Sequence, residues 1–268
     1  YVAYLFAHNN NDGEFGPDSD QDIIKCGSYD GTSGAHNIDL GFEPQWILVK
    51  RTDAASWMIF DVMRGWPVDG IQASLSPNES TAEYNNTPYG IGVNSTGFSM
   101  SGSSAFTNRT GKKFIYMAIR RGQLAPPEAA TEVFKPLTYT ASGQAGNKQT
   151  TGFPVDLAIF NIAGSDDPDW THGLVSRLTG GKKYLGTNST AGEASTGSTG
   201  VNFDDMTGYD FGGAPFNNNS AMYNLNWKRA PGYFDVVCYT GTNSAMTLSH
   251  NLSAIPEMMW IKNRDTSD

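Results

Sequence analysis

Apolar residues along this chain come in short runs separated by Gly, Asn, Ser and Thr, the pattern of β-strands between turns. Trp46-Ile-Leu-Val49 and Phe114 to Ile119 are continuously apolar. Such runs suit strands deep in a two-layer sandwich, covered on one face by the partner sheet and on the other by loops or a neighbouring module. The pattern predicts strands over 23–26, 46–50, 57–62 and 114–119, with loops and short strands over 65–110. Residues 1–7 alternate aromatic and small groups and read as a further strand. Asn9 to Asp22 is polar and acidic, a loop or linker.

The pattern recurs about every hundred residues. Gly41-Phe-Glu-Pro-Gln-Trp-Ile-Leu-Val-Lys50 is answered near the end by Ile255-Pro-Glu-Met-Met-Trp-Ile-Lys262. Setting Pro44 on Pro256 brings Lys50 onto Lys262 and Asp53 onto Asp265 without a gap. A weaker middle copy runs from Gly152 to Asn161. Trp57 and Arg64 are spaced as Trp170 and Arg177 are. Leu75, Asn78 and Glu83 have the spacing of Leu185, Asn188 and Glu193, and Gly97-Phe98 answers Gly208-Tyr209. Phe114 to Arg121 matches Tyr223 to Arg229, where Asn224 and Asn226 interrupt the apolar run, and it also matches Tyr1 to Ala7. The predicted organisation is a last strand and acidic linker over 1–21, a β-sandwich module over 22–122, a Pro-rich linker over 123–131, a second module over 132–230, and the first part of another over 231–268. The period is that of a domain array; solenoid units are about 20–50 residues long. On this reading both ends fall inside modules, and the chain is expected to be a piece of a longer polypeptide. Pro126-Pro127 predicts a stiff joint, 128–132 a single helical turn, and short stiff joints between sandwiches a rod-like array.

Composition narrows the partners. With 38% hydrophobic and 12% aromatic residues the modules can build cores. A net charge of −9 argues against sequence-independent nucleic-acid binding. No apolar stretch approaches the ~18 residues of a membrane helix. Cys26 and Cys238, each placed in a module's first strand, are not repeat-equivalent and read as two buried free thiols.

Catalytic signatures are missing from the sequence. The four histidines do not repeat in register, and no nucleophile elbow, metalloprotease helix or phosphate loop occurs. Glu83 and Glu193 resemble a glycosidase carboxylate pair, but they belong to equivalent places in separate modules. Each Asn-x4-Glu unit reads instead as a loop closed by its own hydrogen bonds. Trp57 with Arg64, and Trp170 with Arg177, could form sugar platforms; the competing reading is a core-edge tryptophan beside a joint-spanning arginine. Asn78 and Asn188 complete this set of glycan-contact candidates. Asn78, Asn94, Asn108 and Asn188 also stand in Asn-x-Ser/Thr sequons. Alternating carboxylates at Asp18, Asp20 and Asp22, and the group Asp166, Asp167 and Asp169, offer oxygen ligands suited to Ca²⁺, against the alternative of solvated loop acids. No other cofactor is expected.

Leu40-Gly-Phe-Glu-Pro44, Trp46 to Arg51, Arg64-Gly65, Leu75 to Glu83, Asn108 to Ala118 and Asn251 to Arg264 together resemble a family of repeated domains in large structural proteins of bacteriophages, many of them marine. The resemblance implies concanavalin-A-like jelly-roll sandwiches in a virion, commonly in a tail fibre or surface appendage, with no established catalytic residues. The expectation is therefore a non-enzymatic virion protein that mediates attachment to host-surface glycan. Its partners would be other virion proteins and further copies of itself, a trimer by analogy with phage fibres. The alternatives are a structural filament or capsid-decoration protein without ligand, in which one subunit's residues 1–7 complete the next subunit's partial module, and a glycan-processing enzyme.

Overall fold

The computed structural model describes residues 1–8, 10, 12–16, 18–85, 87–122, 125–162, 172–197, 199–213 and 221–266. These fold into antiparallel strands, one 3-10 turn at Ala130–Glu132 and no α-helix, so the chain is all-β. There are two compact units: residues 1–126 with 236–251, and residues 127–235 with 252–268.

In the first unit the strands are β1 (Ile24–Asp30), β2 (His36–Asp39), β3 (Pro44–Arg51), β4 (Met58–Asp61), β5 (Ile91–Asn94), β6 (Gly97–Met100) and β7 (Lys113–Arg120). They make a four-stranded sheet in the order β1-β7-β3-β4 and a three-stranded sheet in the order β2-β6-β5. In the second unit they are β8 (Phe134–Thr140), β9 (Gln149–Thr150), β10 (Leu157–Ile162), β11 (His172–Ser176), β12 (Lys183–Gly186), β13 (Ala194–Ser195), β14 (Val201–Asn202), β15 (Gly208–Phe211) and β16 (Ala221–Trp227). Their sheets run β8-β16-β10-β11-β12-β13 and β9-β15-β14. The repeat read from the sequence is thus a repeat of topology. In each large sheet the last strand lies between the first and the strand carrying the Trp46-type run.

Period-two alternation inside the apolar runs chooses the core face. Ile47 and Val49 of β3 are fully buried, while Trp46 and Leu48 are only partly covered. Phe114, Tyr116 and Ala118 of β7 alternate in the same way, with Ile115 exposed. The outer face of the large sheet is therefore half-covered, less than the continuous apolar runs suggested. The two sheets meet through aromatic edges. Phe98 of β6 stands edge-on to Tyr29 at 6.0 Å and to Tyr116 at 5.4 Å. In the second unit Tyr209 and Phe211 of β15 meet Phe160 of β10 at 5.8 and 5.5 Å. Burying each such ring contributes about 1.5–3 kcal/mol, and edge-to-face pairs about 0.5–1.5 kcal/mol more. Both units have the character of a β-sandwich.

Backbone demands explain two repeated glycines. Gly41 and Gly152 both hold positive φ, at 77° and 92°, at the turn before the Trp46-type strand. At Gly97 and Gly208, which open β6 and β15, an added Cβ would lie 2.0 Å from Ile38 O and 1.9 Å from Gln149 O.

Several expectations are corrected. Residues 1–7 belong to no strand, and neither do the described residues of 231–268. Of that stretch, 231–235 and 252–268 go with the second unit and 236–251 with the first. Cys238 is outside any strand, and Cys26 and Cys238 form no disulfide and are only partly buried, where buried thiols were expected. Asn224 and Asn226 do not break β16. They are fully buried in the places of Tyr116 and Ala118; the Asn224 amide meets the Tyr209 hydroxyl, and the Asn226 amide donates to Lys135 O at 2.9 Å.

Candidate functional site

In the first unit the repeated residues are consumed by the framework. Asp61 ends β4 and accepts from the Arg64 backbone N–H at 2.7 Å and from its Nε at 2.9 Å. Arg64 Nη1 reaches Glu83 at 3.0 Å. Burial opposes the Arg64 charge, but hydrogen bonds and charges from Glu83 and Asp61 outweigh it and hold the guanidinium pKa above its ordinary value. The bridges Ile59↔Leu75 and Ser74↔Tyr84 extend the sheet past β4, so this ion cluster ties the exit of β4 to the added segment. Asn78 Oδ1 accepts the backbone N–H of Trp57 at 2.8 Å. Asn108, a sequon position, is fully buried: Oδ1 accepts from Thr32 N at 2.9 Å while Nδ2 donates to Gly34 O and Gly102 O. Attachment of a glycan there is incompatible with this fold.

The second unit uses the same sequence positions differently. Arg177 does not meet Glu193. It is buried, with Nε and Nη2 donating to Val155 O at 3.0 and 2.7 Å, Nη1 donating to Phe203 O, and Nε 3.3 Å from Asp156. Glu193 instead pairs with Arg264 at 2.7 Å and Lys183 at 3.2 Å, and its backbone N–H donates to Arg264 O. The expectation that Trp-x6-Arg and Asn-x4-Glu build equivalent sites is thus corrected. Asn188 lies in an exposed turn. Trp170, Asp166, Asp167 and Asp169 lie outside the described residues.

The acidic loop before β1 is a tight backbone hairpin, with Gln21 N–H donating to Phe15 O at 2.9 Å and Ser19 N–H to Gly16 O at 3.2 Å. Asp18 and Asp20 are exposed, Asp22 is buried, and the Asp22 carbonyl accepts from Arg120 Nε at 2.6 Å. Among the described residues no three His, Cys, Asp or Glu side chains converge as a metal site, so Asp18, Asp20 and Asp22 are not brought together as Ca²⁺ ligands.

A cleft of about 470 Å³ opens in the first unit beside this framework, between the loop before β4, the segment 76–89 and the loop 103–106. Its apolar lining includes Met58, Tyr89 and Phe106, the two rings meeting edge-on at 6.1 Å. Its polar lining is Glu79, Tyr84 and the hydroxyls of Ser56, Ser76, Thr87, Ser103 and Ser104. The Glu79 carboxylate accepts from the Ser56 hydroxyl, from Tyr84 OH at 3.3 Å and from Thr81 at 3.5 Å. Burial, with some help from neighbouring Tyr84 and Glu79, pushes the Tyr89 phenol up, so it stays neutral. Aromatic surface, many hydroxyls, one carboxylate and no cationic lining residue suit a neutral polyhydroxyl ligand.

A sequence-family profile described as a domain of unknown function (DUF7483) matches residues 1–121 and 129–268. The chain belongs to the DUF7483 family. No curated protein matches it, and no solved structure does.

Within these DUF7483 residues the cleft was missed by one position. Sequence reasoning chose Trp57 and Asn78; the cleft is lined by Ser56, Met58 and Glu79, whereas Trp57, between two lining residues, does not line it. A usable signal existed in the comparison of copies. With Asn78 on Asn188, Glu79 falls on Ser189 and Tyr84 on Ala194. Glu79 and Tyr84 of the cleft are not kept in the second copy, whereas Arg64 and Glu83 of the neighbouring ion cluster are.

Proposed function

We propose that the chain is a non-enzymatic virion component, built from concanavalin-A-like jelly-roll modules in a tail fibre or surface appendage, and that it binds host-surface glycan through the cleft of the first unit. The observation that carries the glycan reading is the cleft itself: hydroxyls, phenols and a single carboxylate over an aromatic floor, formed by residues that depart from an otherwise repeated framework. The virion setting is supported by the resemblance of the repeat. Binding at such an open cleft would be weak, so attachment would rest on many copies and on effective concentration. Other virion proteins and further copies of this chain are the expected partners.

The test has two arms. Antibody against the chain should label tails or surface fibres of purified phage particles in electron microscopy; recovery only from particle-free lysate would exclude the virion setting. The purified chain, displayed multivalently on beads, should retain bacterial surface polysaccharide without releasing reducing ends, and Glu79→Gln should weaken retention about tenfold, the loss of one charged hydrogen bond of about 1.5 kcal/mol. Release of reducing ends would replace the adhesin reading by an enzymatic one. Unchanged retention in Glu79→Gln would remove the cleft from the argument.

A further inference from the structure

One charge in the cleft of the first unit goes unanswered. Asp30, Asp53, Asp61 and Glu83 of that unit each meet a lysine or an arginine. Glu79 lines the cleft and meets hydroxyls instead, those of Ser56, Thr81 and Tyr84. Among the described residues no Lys, Arg or His pairs with it. The neighbouring cation, Arg64, is engaged by Asp61 and Glu83 and does not line the cleft. The carboxylate shares the cleft with apolar and aromatic surface: Met58 and Tyr89 are buried, and Tyr84 and Phe106 are half-buried. Its charge reaches the floor, where it adds to burial and to Tyr84 in pushing the Tyr89 phenol up.

The hydroxyls that donate their protons to Glu79 keep only lone pairs to offer a ligand, so this end of the cleft is a group of acceptors around a negative charge. An ammonium is the complement: three donors, no acceptor, and a positive charge that is also attracted to aromatic faces. A sugar hydroxyl can donate to Glu79 as well. A neutral ring that covers the carboxylate, however, takes away its water and returns no charge, which is unfavourable for a desolvated ion. A carboxylate or phosphate on the sugar would be repelled. We propose that the glycan bound by this cleft carries an unacylated amine: the ligand is an amino sugar whose ammonium pairs with Glu79 and whose apolar face meets Phe106 and Tyr89. The inference rests on the glycan reading of the cleft and narrows it.

Methyl glucosaminide, methyl N-acetylglucosaminide and methyl glucoside, titrated into the full chain and followed by nuclear magnetic resonance, should separate. At a pH where the amine is protonated, the glucosaminide should bind about tenfold more tightly than the other two, the effect of one charge-assisted hydrogen bond. Glu79→Gln, at an exposed position, should leave the circular dichroism spectrum unchanged and erase the preference. Asp18→Asn removes the same charge from an exposed loop of the same unit and should keep it. N-acetyl-lysine amide, which has the amine without the sugar, should bind about tenfold more weakly than the glucosaminide, for want of the ring and its hydroxyls. Equal binding of the three glycosides would overturn the amine and leave the glycan reading standing, whereas no binding of any of them would overturn both. A preference that falls equally in Glu79→Gln and Asp18→Asn would assign it to the net charge of the chain, and a lysine compound as tight as the glucosaminide would assign it to a peptide amine; either result overturns the proposal.

Discussion

Arg64 and Arg177 occupy the same place in the repeat, so replacing each by Met tests whether stability follows sequence position or surroundings. Arg177 is buried, with three guanidinium donations to main-chain carbonyls and a carboxylate, Asp156, that is itself only 8% exposed. Met fills a similar volume but leaves Val155 O and Phe203 O without these donors and Asp156 without its cation. Removing one partner of a buried pair costs about 3–5 kcal/mol. Arg64 makes two ion pairs whose members are up to one-third exposed; at about 0–1 kcal/mol each, their loss costs at most about 2 kcal/mol. With a urea slope of about 2 kcal/mol/M, Arg177→Met should lower the midpoint of the second unit by about 1.5–2.5 M, and Arg64→Met that of the first by at most about 1 M. Hydrogen exchange in a urea series reads the units separately, through peptides from β10 and β16 against peptides from β3 and β7. Arg177→Lys should fall between, since a lysine keeps the charge but cannot reproduce the planar fork. Equal shifts for the two Met variants would show that the buried hydrogen bonds of Arg177 do not set its cost, and the reasoning would fail.

Three further outcomes follow from the same structure. Gly97→Ala places a methyl 2.0 Å from Ile38 O, and should cost about 1–3 kcal/mol and lower the melting temperature of the first unit in calorimetry, whereas an alanine at exposed Ser80 should be silent. Asp205 is held down to about 2 by Lys148 and by the backbone and hydroxyl of Thr207; its folded pKa lies below the unfolded value of about 3.9, so its contribution is complete above that value and is lost as pH falls through about 2. Asp205→Asn should therefore flatten that acid limb of the second unit's stability, and an unchanged limb would contradict the assignment. Glu193→Ala removes the carboxylate that holds Arg264 and Lys183, and should speed tryptic cleavage after Lys262 or Arg264 several-fold while the protection of β10 and β16 persists.

What the sequence made legible was the part governed by backbone geometry. Apolar runs between turn residues placed β3, β4 and β7 within a few residues, and the glycines at 41, 152, 97 and 208 recur because φ and strand approach leave no room for a side chain. Polar partners were not legible. Arg64 finds Asp61 three residues away, whereas Arg177 finds Val155, Asp156 and Phe203, which come from either side of it at separations of 21–26 residues. A spacing shared by two arginines cannot reveal which carbonyls the fold will bring to each. The cleft was hidden for the same reason: Ser56, Glu79 and Phe106 meet only after the loops close over β4.

The divergence of the two units bears on how the proposed adhesin would work. A duplicated sandwich preserves what its backbone requires and frees everything else. Where the first unit places Glu79 and Tyr84, the second has Ser189 and Ala194, which supply neither carboxylate nor ring. Glu193, the counterpart of Glu83, anchors the segment 252–264 by its carboxylate and its backbone N–H. One unit thus presents a cleft, and the other uses the same repeat position to anchor Arg264. If binding at the cleft is weak, as proposed, attachment would come from repetition in space, since each added copy raises the effective concentration of the next contact without any new chemistry. On this reading the chain arrayed on beads should retain polysaccharide that the soluble chain releases, and Glu79→Gln should lower retention in both formats; equal retention by the soluble and the arrayed chain would show that attachment does not depend on multiplicity.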